Sequence, residues 1–353
     1  MRNRLVIALS VALLTTSLVA CGGGKKKEAT TTTTTRKVTT TTTEPPVAPL
    51  TGVPEADAAK RSRPAMIVKV DNVPMAFPLQ EGVESADVVY VEEVENGATR
   101  MAVVFQSKDD TVGPVRSART SDLDIAGDLH NPYFCFSGAN AGVLKLVRNG
   151  PMIDMGVDRS EATRVYTRNQ RGSGLHRFFL PTKEIYDVGR AGAQTPPQLF
   201  TYRGKTDALT GEAATGMALS YGGGKATTVA YTWDAVKQGW QRAQNGAAHV
   251  MADTKDRITP KNVIVQFTPY TASPFVDVTG SRSPEAELVG SGEAWVFTDG
   301  KLVRGRWSRP ARDQVTSYTD AGGKPIGLTP GQTFVELIPA PGSFLGAGSA
   351  RVV

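Results

Sequence analysis

Apolar and polar positions follow one pattern up to about residue 208 and another beyond it. In the first part, alternating runs rich in β-branched residues, typical of strands, are interleaved with segments typical of helices. The strand-like runs are 65–71, the two arms of 86–107, and 133–138; the helix-like segments begin at residue 121, at 141 and at 183. This order predicts an α/β (α+β) N-terminal domain over residues 50–208.

From about residue 217 the pattern is almost entirely that of strands. Segment 293–307 alternates on both sides of Asp299-Gly300, and Asn96-Gly97 joins the arms of 86–107 in the same way. Both dipeptides are typical of two-residue hairpin turns. We therefore expect a smaller β-rich C-terminal domain over residues 209–345.

The beginning of the chain has the features of a bacterial lipoprotein. Residues 1–20 combine two arginines with an apolar run too short for a confident membrane span, and LVAC leads into Cys21. These features predict a signal peptide cleaved before Cys21, lipidation of that cysteine, and an extracytoplasmic protein anchored to the membrane. Residues 21–49 are rich in glycine and threonine, which predicts a disordered linker, and the sequence does not decide whether it is glycosylated.

Charge and motifs exclude several classes of function. The chain carries a net charge of +6, but residues 1–49 contain seven Lys and Arg against two acids, so the folded part is nearly neutral. Nucleic-acid binding therefore has no support from charge. No GxSxG or HExxH motif is present, and the three histidines are far apart in sequence, so we predict neither a metal site nor a cofactor.

The stretch VGPVRSARTSDLDIA, residues 112–126, concentrates opposite charges at a predicted strand-to-helix turn. Ser121 is predicted to cap the helix, and Asp122 and Asp124 fall in its first turn, where the helix dipole favours acids. Arg116 and Arg119 precede the helix. They either form ion pairs that hold the turn or bind an anion bidentately.

Other charged residues in apolar surroundings extend this stretch into a candidate cleft. The candidate ligand-binding residues are Asp71, Asn72, Glu92, Glu93, Arg100, Arg116, Arg119 and His176. Carboxylates among them could instead perform acid/base chemistry on a glycan, provided that they face one groove. No catalytic residue can be assigned from the spacing alone.

Several segments together resemble the YerB-like family of bacterial lipoproteins, whose function is unknown. They span roughly residues 63–340 and comprise RPAMIVKVDN, DVVYVEEVENGATRMAVVFQS, GPVRSAR with the following DLD, NVIVQ, VFTDGK, GRWSR and PGQTFVELIP. The resemblance implies an α/β domain followed by a smaller β-rich one on a membrane-anchored protein. It assigns no activity and no catalytic residue.

The sequence thus leads to two hypotheses for one charged cleft. In the first, the lipoprotein binds an anionic envelope component or a partner protein. In the second, it is an envelope-polymer hydrolase or transferase that uses the carboxylates of the same cleft. The ligand, the oligomeric state and the pathway are not predicted.

Overall fold

A computed structural model describes residues 45–353 with the exception of 170, 171, 175, 205, 224 and 277–279. Residues 45–353 form one compact unit. The predicted signal peptide, the predicted lipidation site at Cys21 and all but the end of the predicted linker lie outside the described residues.

The described chain contains five short α-helices, three single-turn 3-10 helices and 21 strands. The helices are α1 Ala58–Ser62, α2 Asp122–Gly127, α3 Ala141–Arg148, α4 Ser160–Thr163 and α5 Thr182–Val188. The strands of the first part are β1 Met66–Asp71, β2 Val88–Glu93, β3 Thr99–Phe105, β4 Thr111–Val112, β5 Tyr133–Cys135, β6 Ile153–Asp154, β7 Thr167–Arg168 and β8 Phe178–Pro181. Those of the second part are β9 Glu212–Ala213, β10 Gly216–Ser220, β11 Thr228–Asp234, β12 Gly239–Gln244, β13 Ala247–Ala248, β14 Asn262–Thr268, β15 Tyr270–Val276, β16 Arg282–Ala286, β17 Gly290–Thr298, β18 Lys301–Arg309, β19 Ser317–Asp320, β20 Thr333–Pro339 and β21 Ser349–Val352. All five helices precede residue 189, which confirms the prediction of an α+β part followed by a β-rich one.

One mixed sheet runs through both parts of the chain. Its strand order is β19-β18-β17-β14-β20-β2-β3-β1-β5-β6, with β9 attached to β18. Strand β20 pairs in parallel with β14 on one side and with β2 on the other. The second part of the sequence is therefore joined to the first by main-chain hydrogen bonds.

The two faces of this sheet are covered differently. On one face, Val68 and Met101 belong to a core that also contains Tyr221 and Trp240 from a second sheet of order β13-β12-β11-β10-β21. On the other face, Ile67 and Val104 belong to a core with residues of α2 and α3. Complete burial of each such side chain contributes about 1.5–3 kcal/mol to folding, so both coverings stabilise the sheet.

Both predicted Asx-Gly hairpins are present. Asn96 and Gly97 have φ values of 62° and 75° between β2 and β3, and Asp299 and Gly300 have 50° and 68° between β17 and β18. Asparagine, aspartate and glycine tolerate this left-handed conformation better than other residues. The first hairpin brings the end of β2 and the start of β3 to the sheet edge where β1 ends.

The segment 113–119 inserts at this edge beside β1. Its Gly113-Pro114 peptide is cis. Arg116 donates its backbone N–H to Lys69 O at 2.8 Å, and Ser137 donates to Arg116 O at 3.0 Å. The arginine stretch is thereby held between β1 and the chain that leaves β5, with α2 directly after it.

In the described part of the chain, no helix combines the length and the apolar character needed to cross a membrane.

Candidate functional site

Three neighbouring strands place a row of charged side chains on one face of the sheet. Arg100 on β3 is directly opposite Asp71 on β1 and Glu92 on β2. Directly opposite residues in an antiparallel pair project from the same face. All three are buried, and the row lies on the face that carries α2 and α3.

Asp71 is the anion around which two further candidate residues gather. Arg116 Nε lies 2.7 Å from Asp71 Oδ2, and His176 Nδ1 lies 2.9 Å from the same oxygen. The angles of both contacts fall outside hydrogen-bond geometry. Asp71 is fully buried, whereas the side chains of Arg116 and His176 retain 16% and 14% exposure. The Asp71 carboxylate is thus shielded from solvent, and its two charged neighbours are only slightly exposed.

Arg119 is held by a second carboxylate. Its Nη2 donates to Glu95 Oε2 at 2.7 Å and its Nη1 to Ala118 O at 2.9 Å. Burial by itself would raise the pKa of Glu95, but the hydrogen bond and charge of Arg119, with a hydrogen bond from Ser283, lower that pKa below its ordinary value. Glu95 is therefore an ionised partner that fixes one end of the guanidinium.

A buried triad of Lys69, Glu92 and Asp122 holds the backbone of Arg116 and Arg119. Lys69 Nζ contacts Glu92 Oε1 at 2.5 Å and Asp122 Oδ1 at 2.6 Å, and all three side chains are inaccessible to solvent. Asp122 Oδ2 accepts the backbone N–H of Arg119 at 2.7 Å. Burial raises the pKa of Asp122 to about 6, with Lys69 opposing the shift and Glu92 adding to it. Lys69 thus positions Arg116 through its carbonyl and Arg119 through Asp122.

Arg100, Arg116 and Arg119 lie close enough to affect one another. The pKa of Arg100 is lowered to about 10, first by burial and then by the charge of Arg119, while Asp71 opposes the shift. Arg100 donates Nη1 to Ser117 O at 3.2 Å. The Nε atoms of all three arginines lack a hydrogen-bond partner among the described residues. We call these arginines, with Asp71, Glu95 and His176, the arginine cluster.

Two candidate residues, Asn72 and Glu93, lie on the opposite face of the same strands. Asn72 donates to Thr99 Oγ1 and to Gln244 Oε1, both at 2.8 Å. Glu93 is paired with Thr99 across the hairpin, and its oxygens lie against the backbone of Gly222 and Gly223. Neither oxygen has a hydrogen-bond partner within the described chain, and burial raises the pKa of Glu93 to about 7.

The structure thus brings Asp71, Arg100, Arg116, Arg119 and His176 together and separates Asn72 and Glu93 from them. Glu92 lies on the face of the arginine cluster but is fully buried against Lys69. The carboxylates of Glu92 and Glu93 consequently face opposite sides of the sheet. Glu93 therefore cannot flank one groove together with Asp71 or with Glu92.

The sequence-based candidates omitted two members of this arrangement, Lys69 and Glu95. Lys69 is the one charged residue inside the apolar run AMIVKV, and a lysine in a strand buried on both faces requires a buried anion. That signal was available in the sequence. Glu95 was not separable from Glu92 and Glu93 by sequence, because its contact with Arg119 depends on where the hairpin turns.

Cavities of about 290–430 Å³ are lined by described residues that lie outside the arginine cluster. A half-open cavity of about 290 Å³ is lined by residues that include Phe200, Tyr318 and Ile326, and it shares no residue with the arginine cluster. No group of three or more His, Cys, Asp and Glu side chains in the described part of the chain is arranged to hold a metal ion. We therefore locate the candidate site at the arginine cluster because of its charged side chains and not because of a cavity.

Comparison with known proteins identifies the class. Residues 50–194 match the family "Protein of unknown function (DUF3048) N-terminal domain", and residues 217–335 match the C-terminal domain of the same description. The Bacillus subtilis (strain 168) protein named "Putative lipoprotein YerB" is 27% identical over 300 residues, which cover 83% of this chain and 86% of that protein. The class is therefore that of bacterial proteins with paired DUF3048 domains.

A solved structure agrees with this class. The crystal structure of YerB protein from Bacillus subtilis matches with a TM-score of 0.71 at 23% identity, covering 87% of this chain and 99% of that chain. At this identity the match supports the fold alone. The chain belongs to the YerB-like DUF3048 family, as the resemblance of its motifs predicted.

Proposed function

We propose that this protein is an extracytoplasmic lipoprotein, anchored by a lipid on Cys21, that binds an anionic component of the cell envelope through the arginine cluster. The lipobox-like LVAC motif and the glycine- and threonine-rich segment after it support the anchor. The name of the Bacillus subtilis relative as a lipoprotein agrees with it.

One observation carries the binding proposal. Three guanidinium groups lie near one another where β1 ends: the Nε atoms of Arg100 and Arg119 have no hydrogen-bond partner among the described residues, and Arg116 Nε has only its ion pair with Asp71. Two of these side chains reach solvent, because Arg116 and Arg119 are 16% and 13% exposed. Unpaired, partly buried guanidinium N–H groups are costly unless an anion completes their hydrogen bonds. A bound oxyanion would supply the missing acceptors.

The enzymatic alternative has no comparable support. General acid/base cleavage of a glycan requires two carboxylates about 5–10 Å apart across one groove. Glu93 is on the other face of the sheet from Asp71, and Glu92 is buried in an ion pair with Lys69. We therefore propose the binding function alone.

The binding test uses envelope extract and the full-length chain held in detergent. Wild-type protein is expected to retain an anionic envelope fraction that the Arg116→Ala/Arg119→Ala double variant does not retain. Arg306→Ala is the matched control, because Arg306 is an exposed arginine on β18, outside the cluster. Equal retention by the wild type and the double variant, with both folded, would contradict the proposal. Loss of retention in the control as well as in the double variant would indicate a nonspecific charge effect and would also contradict it.

The anchor has a separate test. Cys21→Ala is expected to move the protein from the membrane fraction to the soluble or secreted fraction, because the thiol is the proposed lipid attachment point. Membrane association that persists in this variant would contradict the assignment of Cys21 and would leave the proposed binding by the arginine cluster unaffected.

A further inference from the structure

Glu93 carries a buried carboxylate on the face of the sheet opposite to the arginine cluster. The residue is 1% exposed, and neither of its carboxylate oxygens has a hydrogen-bond partner within the described chain. Its main chain is fixed, because Glu93 donates its N–H to the Tyr270 hydroxyl at 3.1 Å. A buried carboxylate that is ionised without a partner is strongly unfavourable. Something other than a side chain of the described residues therefore has to balance the charge of Glu93.

Three segments of the chain meet at this carboxylate: the β2–β3 hairpin, the loop after β10 and the segment before β21. Thr227 donates its N–H to Gly97 O at 2.9 Å, which ties the loop to the hairpin. Gly223 donates its N–H to Leu345 O at 2.7 Å, which ties the same loop to the segment before β21. Main-chain groups of both sheets therefore lie near Glu93.

Glycines stand where side chains would otherwise contact both oxygens of Glu93. A Cβ on Gly222 would lie 3.4 Å from Glu93 Oε2, and a Cβ on Gly223 would lie 3.4 Å from Glu93 Oε1. The Cβ position of Gly222 is also 2.4 Å from Gly346 O but 3.1 Å from Gly346 C, so this carbonyl points toward it. A carboxylate oxygen and a carbonyl oxygen thus border one position that no side chain of Gly222 fills.

The carbonyl oxygens beside Glu93 are available as ligands. Gly222 O and Gly346 O accept no hydrogen bond from any residue that the structure describes. Gly222 O lies 3.0 Å from the position of a Cβ on Gly97, next to the hairpin. Carboxylate and carbonyl oxygens are the ligands that hard cations prefer. This set of oxygens therefore indicates a hard cation.

The charge of these groups bears on the valence of the cation. Burial is the cause of the raised pKa of Glu93, and Lys225 of the same loop is exposed. In the described part of the chain, no other acidic side chain joins Glu93 in a group that could hold a metal ion. One carboxylate with neutral carbonyls balances a single positive charge, whereas a divalent ion would leave one charge unbalanced in a buried position.

We infer that Glu93 and the carbonyl oxygens of Gly222 and Gly346 bind a monovalent metal cation. Sodium and potassium share this chemistry, and the experiment distinguishes them. The ion joins the β2–β3 hairpin of the large sheet to two segments of the second sheet, and so it stabilises the contact between the sheets. This site does not depend on the anion proposed for the arginine cluster, which lies on the other face.

The test measures thermal unfolding of the full-length chain in detergent at pH 8, with choline replacing sodium at constant ionic strength. An ion that binds only the folded protein raises its stability. We expect the midpoint to rise by about 2 °C between sodium-free buffer and about 0.3 M sodium. At pH 5 the rise should be largely lost, because burial raises the pKa of Glu93 to about 7 and a proton then replaces the ion. Burial raises the pKa of the neighbouring Tyr270 well above its ordinary value, so its hydroxyl stays neutral at both pH values.

Three variants assign the response to the site. Glu93→Gln keeps the shape but removes the charge, so its midpoint should not respond to sodium. Gly222→Ala keeps the carboxylate but places a Cβ 2.4 Å from Gly346 O, so it should also lose the response. Glu212→Gln removes an exposed carboxylate on β9 and is the matched control, which should keep the full rise.

Sodium NMR relaxation measures binding without reference to stability. At equal concentrations and pH 8, the wild type is expected to broaden the sodium signal more than Glu93→Gln does. Potassium is then added in place of choline. Reversal of the broadening assigns a site open to both ions, and persistence of the broadening assigns a sodium site; both outcomes support the inference.

Three results overturn the inference. The first is an equal response to sodium in the wild type and in Glu93→Gln. The second is a response to calcium with none to sodium or potassium, which assigns a divalent ion. The third is a dependence of stability on pH with none on sodium or potassium, which assigns a proton to Glu93. Circular dichroism checks the fold of each variant, and if Glu93→Gln does not fold, sodium broadening by the wild type at pH 8 and pH 5 decides. Each of these results leaves the proposed anion binding unaffected.

Discussion

The two faces of the sheet edge where β1 ends and β3 begins contain buried arginines in opposite situations. On the face of the second sheet, Arg242 is inaccessible and makes hydrogen bonds to Tyr231, Glu336, Gln244 and His249 at 2.9–3.2 Å, and its Nη2 has no hydrogen-bond partner among the described residues. On the other face, the Nε atoms of Arg100 and Arg119 have no such partner, Arg116 Nε has only its ion pair with Asp71, and two of the three arginines reach solvent. The first arrangement is closed to solvent, and the second is open to it.

This difference distinguishes charged side chains that only stabilise the fold from charged side chains that are available to bind a ligand. Glu336 accepts from Tyr221 at 2.5 Å, from Tyr231 at 2.6 Å and from Arg242 at 3.2 Å, so its burial is compensated from within the chain. Such a network is strongly destabilised when one member is removed, but it has no need of a ligand. The open cluster is expected to respond in the reverse way, with a small loss of stability and a large loss of binding.

Removal of Glu336 should have the largest effect on folding. Glu336→Ala leaves the Arg242 charge buried and unpaired, so we expect the free energy of unfolding to fall by about 3–5 kcal/mol in denaturant titrations. The exposed Glu212 on β9 provides the control, and Glu212→Ala should change the free energy by no more than about 0.5 kcal/mol. A cost for Glu336→Ala below about 1 kcal/mol would show that the closed network is not the stabilising one.

Removal of Arg116 should affect binding more than stability. Hydrogen bonds between charged partners contribute about 1.5–3 kcal/mol, so Arg116→Ala should weaken anion binding by roughly 10- to 100-fold in calorimetric titration. Asp71 is fully buried, but Arg100 and His176 remain beside it, so we expect a stability loss of about 1–3 kcal/mol, smaller than that of Glu336→Ala. The reverse outcome, unchanged affinity with a large loss of stability, would make the arginine cluster a structural feature like the network of Arg242.

Glu93 predicts a dependence of stability on pH. Burial raises its pKa from 4.5 to about 7, so between these values the folded protein binds more protons than the unfolded chain. Stability should therefore decline as pH rises through this window, and Glu93→Gln should remove part of the decline. We expect the variant to be more stable than the wild type by about 1–2 kcal/mol at pH 8 and nearly equal to it at pH 4, measured by denaturant titration.

Glu95→Gln is the matched comparison for Glu93. The pKa of Glu95 is lowered in the folded protein, so its contribution is present above its ordinary pKa and is lost as pH falls through the lowered value. Glu95→Gln should accordingly be less stable than the wild type at pH 8. If both variants shifted stability in the same direction at pH 8, the assigned environments of the two carboxylates would be incorrect.

The smallest effect is expected at Arg312. It pairs with Asp124 at 2.6 Å, but the Arg312 side chain is 54% exposed. Exposed ion pairs contribute about 0–1 kcal/mol, so Arg312→Ala should lower the free energy of unfolding by less than about 1 kcal/mol and leave anion affinity unchanged. A larger loss would mean that the first turn of α2 depends on this contact.

Local signals in the sequence identified the elements that depend on local chemistry. The Asn96-Gly97 and Asp299-Gly300 turns follow from the conformations that these residues tolerate. The predicted helix 141–150 is α3, whose N-cap Asn140 accepts from Gly142 N at 2.8 Å. Ser121 occupies the N-cap position of α2, as predicted, but its side chain does not cap the helix: its dihedral angles are helical, and its Oγ accepts from Ala286 N instead.

Non-local pairing explains what the sequence could not provide. Segment 86–95 predicts a strand, but nothing in it indicates that Val88 and Val91 pair with Thr333 and Glu336. The face on which each glutamate lies also depends on register, because a shift of one residue exchanges the faces. Alternation along a continuing strand would put Glu93 and Glu95 on one face. The strand ends at Glu93, however, and the turn returns Glu95 to the side of Arg119.

The position of β20 has a consequence for synthesis. Strand β2 can pair with its antiparallel neighbour β3 as soon as the hairpin has been synthesised. Its other neighbour is β20, which is translated far later. Until then the apolar edge of β2 has unpaired backbone groups, and such an edge readily pairs with other chains. The nascent protein therefore has to keep this edge apart from other chains while most of the sequence is still being made.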